Sequence, residues 1–221
     1  RSYMLGVYNH MTIGMAITGF FAYLTKIMSV SEGMLTPFGT AIYASPLKWV
    51  IMLAPLGMVF WLSAKVQTMK PESARNLFYA FAAIMGISLS SLLLVFTGES
   101  VIRVFFLTAA SFSALSIYGY TTKKNLTSMG SFLIMGLVGL ILASIVNIFL
   151  ASSAMQFIIS VVGVLIFAGL TAYDTQRIKL MYMASDDRGT ALKKSIMGAL
   201  TLYLDFINMF IMLLQLLGNR E

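Results

Sequence analysis

The sequence predicts an all-α integral membrane protein with seven spanning helices. Of its 221 residues, 59% are hydrophobic and only 10% are charged, whereas a soluble domain carries about 25% charged residues. So few charges could not cover a water-facing surface, and the mean hydropathy of +0.88 agrees. The expected partner is therefore the lipid bilayer. The net charge of +7 comes from basic residues in short loops between apolar runs, which indicates membrane orientation rather than a nucleic-acid partner.

Charge-free runs locate the seven spans in a single membrane domain covering residues 1–221, because a spanning helix needs about 20 mainly apolar residues. The first four spans lie near residues 4–25, 48–67, 76–98 and 102–122. The run from 125 to 173 has no charge and is too long for one span, so we divide it at LASSA (Leu150–Ala154). The last three spans are then 130–150, 155–177 and 195–217. The first loop, near 26–47, carries Gly and Pro and is predicted to hold a short interfacial segment.

Lysine and arginine are distributed unequally between the two sides of this arrangement. Eleven of the 15 lie at the N-terminus or in the loops after spans two, four and six. Cytoplasmic loops of membrane proteins carry the excess of basic residues. We therefore expect the N-terminus in the cytosol and the C-terminus outside.

Two aspartates fall within predicted spans. Asp174 lies near the cytosolic end of span six, and Asp205 lies about 15 Å into span seven by helical rise. An unaided charge at mid-membrane depth costs about 2.5–3.5 kcal/mol, so such an acid is a candidate functional residue. Two structural interpretations stay open. Asp174 could be an interfacial carboxylate paired with Arg177, and Asp205 could be a hydrogen-bonded structural residue.

The neighbours of each aspartate form a polar helix face. The face in span seven carries Thr201, Asp205, Asn208, Met212 and Gln215. The face in span six carries Ser160, Gly163, Phe167, Thr171 and Asp174. This spacing is that of one side of a helix, and lipid cannot satisfy polar groups, so each face should meet protein or a water-filled cavity. The alternative role is interhelical hydrogen bonding that only holds the spans together.

Two adjacent antiparallel spans could bring the acids of these faces together. Two charges about 5 Å apart repel by roughly 3 kcal/mol at an effective dielectric constant near 20. Such a pair titrates as a unit. With one shared proton it would hold two helices together, and without that proton it would separate them or bind a cation.

The sequence gives little support for enzymatic or metal-binding chemistry outside the two aspartates. Cysteine is absent and histidine occurs once, which excludes thiolate chemistry and argues against zinc-type clusters. HExxH, GxSxG and P-loop motifs are absent. We therefore expect neither an enzyme nor a bound cofactor. An intramembrane aspartyl protease or proton-coupled transporter, built on the same two aspartates, remains a further hypothesis.

Two motifs carry a family resemblance over nearly the whole chain. VLIFAGLTAYDTQRIK (164–179) and ALTLYLDFINMFIMLLQLLGN (199–219), with GYTTKKNL (119–126), resemble the Bax inhibitor-1 family, also called the transmembrane Bax inhibitor motif family, in its bacterial form. The resemblance implies a last helix that is central and surrounded by the other six. It also implies a calcium leak, with pH sensed by an aspartate pair. That pair corresponds to Asp174 and Asp205, which would also contact calcium as the transported ion.

The resemblance implies further details of location, latch and partners. The membrane would be the bacterial cytoplasmic (inner) membrane. One bacterial member would latch an aspartate with an arginine at the cytosolic end of span two, where FWLSAKVQTMK here offers Lys65 as the nearest cation. Lys65 is the candidate latch, although lysine lacks the bidentate fork of arginine. Helical spacing, independently of the resemblance, makes Thr201, Asn208 and Gln215 the candidate polar stripe. The alternative function is a non-transporting regulator of other membrane proteins, such as a membrane-bound protease.

Overall fold

A computed structural model describes all 221 residues as seven long helices joined by short connections. The helices are α1 (Ser2–Ser29), α2 (Leu47–Lys65), α3 (Pro71–Leu89), α4 (Gly98–Thr121), α5 (Thr127–Leu150), α6 (Ser153–Met181) and α7 (Arg188–Leu217). The helical turn Leu92–Val95 follows α3. All seven segments are long and apolar enough to cross a membrane. The prediction of an all-α membrane protein with seven spanning helices is confirmed.

The last two helices extend beyond the charge-free runs that locate them in the sequence. Span six was expected to end near residue 177, but α6 continues to Met181. Span seven was expected from residue 195, but α7 begins at Arg188. Basic side chains at helix ends can reach the headgroup region, so a charge ends an apolar run without ending the helix. Asp187 caps α7, because its carboxylate accepts the backbone N–H groups of Gly189 (3.1 Å) and Thr190 (3.3 Å).

The connection after α1 contains a short hairpin. Strand β1 (Val30–Ser31) pairs antiparallel with strand β2 (Met34–Leu35). The two residues between them, Glu32 and Gly33, have φ angles of 51° and 79°, as a two-residue hairpin turn requires. A π-helical turn, Thr40–Ala44, follows before α2. The segment predicted in the first loop is thus a hairpin followed by a helical turn.

The chain divides into two compact units. The first comprises residues 1–96, 182–200 and 221. In it α1 packs against α3, and Thr18 Oγ1 donates a 2.8 Å hydrogen bond to a carbonyl of α3. His10 Nδ1 lies 2.9 Å from the Tyr79 hydroxyl in the same interface. At the start of α7, Lys193 Nζ donates to the carbonyl oxygen of Gln67 at 3.0 Å.

The second unit comprises residues 97–181 and 201–220. Within it α6 packs against both α4 and α5. The backbones of α4 and α6 approach closely at Gly119, where an added β-carbon would lie 2.1 Å from the carbonyl oxygen of Ala172. Only glycine allows two helix backbones this near each other. The buried hydroxyls of Ser116 and Thr175 join the same two helices at 2.9 Å.

The last helix is the most buried of the seven. In its most apolar stretch 44% of the residues are buried, against 6–39% in the other six. The side chains of Leu202, Tyr203 and Leu214 have no exposed surface. A helix that positions a carboxylate within a membrane protein needs this kind of enclosure, because lipid cannot hydrogen-bond the charge.

Candidate functional site

Asp174 on α6 and Asp205 on α7 face each other in the second unit. They are 6% and 5% exposed, and their carboxyl groups are close enough to interact directly. Oδ2 of Asp205 is buried and receives no hydrogen bond from a donor group of the protein. An ionised carboxylate can only accept hydrogen bonds. The contact between the two side chains is therefore a hydrogen bond only when one of them carries a proton.

The cation beside this aspartate pair is Arg177. Its Nη2 lies 3.2 Å from Oδ1 of Asp174, three residues earlier on α6. The guanidinium also lies 5.6 Å from the centre of the Tyr173 ring. The side chain of Arg177 is 46% exposed, whereas that of Asp174 is 8% exposed. Asp174 thus has both neighbours that the sequence suggested as alternatives, the arginine on its own helix and the aspartate on the next.

Lys65, the candidate latch, is exposed at the end of α2, in the first unit. The ion pair of Asp174 is with Arg177. A latch role for Lys65 stays a prediction.

The residues that follow Asp174 fasten α6 to its neighbours. The side-chain amide of Gln176 forms two hydrogen bonds to the turn between α4 and α5. Its Oε1 accepts from the backbone N–H of Leu126 at 2.9 Å, and its Nε2 donates to the carbonyl oxygen of Lys124 at 2.8 Å. Lys179 Nζ donates to the carbonyl oxygen of Tyr120 at 2.7 Å and lies 4.7 Å from the centre of that ring. These contacts fix the rotation and height of α6, and hence the position of Asp174.

These anchoring residues were not singled out from the sequence. A signal was available in the unbroken polar run from Asp174 to Arg177. Residues on a helix are about 100° apart, so four in succession surround most of it. Within a membrane domain some of those side chains must then contact protein. Gln176 is one that does.

The other members of the polar stripe on α7 have different partners. Thr201 is half-buried one turn before Asp205. Asn208 Nδ2 donates to the carbonyl oxygen of Leu204 on its own helix at 2.8 Å. Gln215 Oε1 accepts from Nη2 of Arg220 at 3.3 Å. These side-chain hydrogen bonds of Asn208 and Gln215 do not lead to the aspartates.

The capacity of this site for a metal ion is limited by its ligand count. No group of three or more His, Cys, Asp or Glu side chains capable of holding a metal occurs among the 221 residues. Calcium takes six to eight oxygen ligands, and Asp174 and Asp205 supply at most four carboxylate oxygens. A calcium ion held by this pair would therefore need further oxygen ligands, such as water.

Comparison with known proteins identifies the family. A family model described as "Inhibitor of apoptosis-promoting Bax1" matches residues 1–221. The chain belongs to the Bax inhibitor family. Among its relatives is the inner membrane protein YbhL of Escherichia coli K12, which is 43% identical over 224 residues, covering 100% of this chain and 93% of YbhL.

Two further bacterial relatives of this Bax inhibitor family member are similar over the same length. A protein of Caulobacter vibrioides is 46% identical over 225 residues, covering 100% of this chain and 90% of the relative. The protein RP147 of Rickettsia prowazekii is 45% identical over 223 residues, covering 100% and 91%. The resemblance carried by the two aspartate motifs is confirmed.

Proposed function

We propose that this protein is a pH-sensitive calcium leak pathway, gated by a proton shared between Asp174 and Asp205. The observation that supports the proposal is the contact between two buried carboxyl groups on different membrane helices. The calcium leak itself comes from the family resemblance of the two motifs that carry these aspartates. In this proposal the protein is not an enzyme, and calcium is its transported ion rather than a cofactor.

The gate works through the charge of the aspartate pair. With one proton present, the carboxyl groups share a hydrogen bond that joins α6 to α7. When that proton leaves, two negative charges face each other in a buried place, and their repulsion favours separation of the helices or entry of a cation. Arg177 offsets part of this charge through its ion pair with Asp174.

The proposed location is the bacterial inner membrane, with the N-terminus in the cytosol and the C-terminus outside. Two observations support it. The relative from E. coli is named an inner membrane protein. Eleven of the 15 basic residues lie on the same side of the predicted membrane arrangement as the N-terminus. Both aspartates then belong to the cytosolic half of the membrane. Reporter fusions to each terminus test the orientation.

Calcium entry into dye-loaded proteoliposomes tests the function. Wild-type protein should give a flux that changes between about pH 6 and pH 8. Asp174→Asn and Asp205→Asn should each flatten that pH dependence, because an amide cannot exchange the shared proton. Asp187→Asn is the matched control, since Asp187 lies before α7 and an asparagine caps a helix as well as an aspartate does. Equal, pH-independent flux in all four proteins would contradict the proposal.

Two other outcomes would indicate a different function. A wild-type protein without calcium flux at any pH, together with a cross-linked membrane partner whose turnover changes on deletion, would favour the non-transporting regulator. Cleavage of model transmembrane peptides that is lost in both Asn variants would instead indicate an intramembrane aspartyl protease.

A further inference from the structure

A polar pocket opens at the end of the second unit where α7 terminates. Its volume is about 460 Å³, and its lining includes Asn147, Gln156, Ser160, Gln215 and Arg220. The turn between α5 and α6 shapes one wall, where Asn147 Oδ1 accepts from the backbone N–H of Ser152 at 3.0 Å. Lipid cannot satisfy such a lining, so we expect water to fill the pocket.

The pocket lies on the same two helix faces as the aspartate pair. On α7, Gln215 is ten residues beyond Asp205, which is about 15 Å of helical rise. On α6, Ser160 is fourteen residues before Asp174, about 21 Å away. A path between the pocket and the aspartates would follow these faces.

Beyond Asn208 on α7, apolar groups of the two helices meet between the aspartates and the pocket. A β-carbon added at Gly163 would lie 3.1 Å from both Cγ and Sδ of Met212, so the methionine side chain rests on the backbone of α6. Phe167, the next residue of that face toward Asp174, is buried. A narrow apolar stretch excludes water and ions, which is one way that channels close.

The side chain of Met212 has the shape and flexibility that a movable closure needs. Glycine at position 163 leaves the space that the thioether fills, and even an alanine there would be in tight contact. Methionine is unbranched and has three rotatable bonds, so it can leave that space without a shift of the helix backbone.

We infer that Met212, seated on Gly163, closes the ion path between the aspartate pair and the polar pocket, and that the pocket is the outer vestibule of the path. The inference rests on the proposed leak function and adds to it a second closure, separate from the aspartates. Arg220 also lines the vestibule and donates to Gln215. Its positive charge lowers the local concentration of cations, so the vestibule limits the rate of entry.

Calcium flux through point variants tests the closure. Met212→Ala should raise the flux several-fold at a fixed pH, whereas Met212→Leu, which keeps an apolar side chain of similar size, should stay near wild type. Leu214→Ala is the matched control, because Leu214 is fully buried on another side of α7 and its truncation loosens packing without opening the path. Flux that rises equally in Met212→Ala and Leu214→Ala, or in neither while the wild type leaks, would overturn the inference.

Thiol accessibility tests the path without measuring transport, so it separates this inference from the leak function itself. The chain has no cysteine, and single cysteines can be placed at Gln215 in the vestibule and at Thr171, buried beyond the closure. Membrane vesicles of both orientations are treated with an impermeant thiol reagent. Gln215→Cys should react readily, and Thr171→Cys should react from the vestibule side only when Met212→Ala is also present. A Gln215→Cys protein that does not react would overturn the inference even if calcium leaks. So would a Thr171→Cys protein whose reactivity is the same whether position 212 is Met or Ala.

Discussion

Arg177 Nη2 lies 3.2 Å from Asp174 Oδ1, so the aspartate that meets Asp205 has a cation on its own helix. A partner three residues away on one helix moves together with the aspartate. Such a cation acts as a constant electrostatic bias on the pair, whereas a cation on another span could be released when the helices move. The position of Arg177 therefore sets the pH range of the proposed gate rather than its open or closed state.

Removal of that charge should move the pH range of the leak. In Arg177→Gln the ionised pair loses a nearby positive charge, so a higher pH is needed to remove the shared proton. We expect the midpoint of the calcium flux profile to rise, and the rise to be limited because about half of the arginine side chain is exposed and solvent screens its charge. The control is Arg177→Lys, which retains the charge and should remain near wild type. A midpoint that does not move in Arg177→Gln would show that the ion pair has no effect on the gate.

Lys65 gives a direct comparison between the two candidate cations. Because Asp174 is already paired with Arg177, we expect Lys65→Gln to move the flux midpoint less than Arg177→Gln does. The measurement is the same proteoliposome profile, with Lys70→Gln as a control from the following loop. A larger effect of Lys65→Gln than of Arg177→Gln would assign the latch to Lys65.

Gln176 should contribute to stability rather than to proton binding. Gln176→Ala removes two hydrogen bonds to the turn between α4 and α5, a loss of about 1–3 kcal/mol at the usual net value per bond. In a protein of this size we expect the melting temperature to fall by several degrees. Thermal unfolding in detergent measures it, with the exposed Gln67→Ala as control. Equal melting temperatures for the two variants would show that the Gln176 bonds do not hold the turn.

The cap of α7 should give the protein a separate pH dependence at low pH. Hydrogen bonds from the side chain of Thr190 and from the backbone of Gly189 and Thr190 hold the pKa of the Asp187 carboxyl below its ordinary value. A group whose pKa is lower in the folded protein stabilises it above the unfolded-state pKa, and this stabilisation is lost as the pH falls through the folded-state pKa.

Asp187→Asn isolates this effect, because asparagine keeps the cap and does not titrate. We expect wild type and variant to have similar melting temperatures at pH 7, and the wild type to lose more stability below about pH 4. Asp187→Ala should melt lower than both at pH 7. Identical acid behaviour of wild type and Asp187→Asn would contradict a role for the carboxylate cap.

The number of membrane spans and the buried aspartate can be predicted from the sequence, because a helix surface that faces hydrocarbon can carry few polar or charged side chains. Charge-free runs reveal seven spans, and the intramembrane Asp205 stands out against apolar neighbours. The side-chain partners are less predictable, since they depend on helix rotation and height. Nothing in the periodicity indicates that Gln176 reaches the turn at Lys124 and Leu126, fifty residues earlier. The packing of Met212 on Gly163 likewise follows from the approach of two helices.

The most direct test of the shared proton is the pH profile of calcium flux in Asp174→Asn, Asp205→Asn and the double variant, measured beside the wild type. Residues that act as one unit have non-additive effects. If a single proton is shared, each single variant should abolish most of the pH dependence between pH 6 and pH 8, and the double variant should add little more. Two single variants that each retain a full pH response, with additive loss in the double variant, would contradict a shared proton.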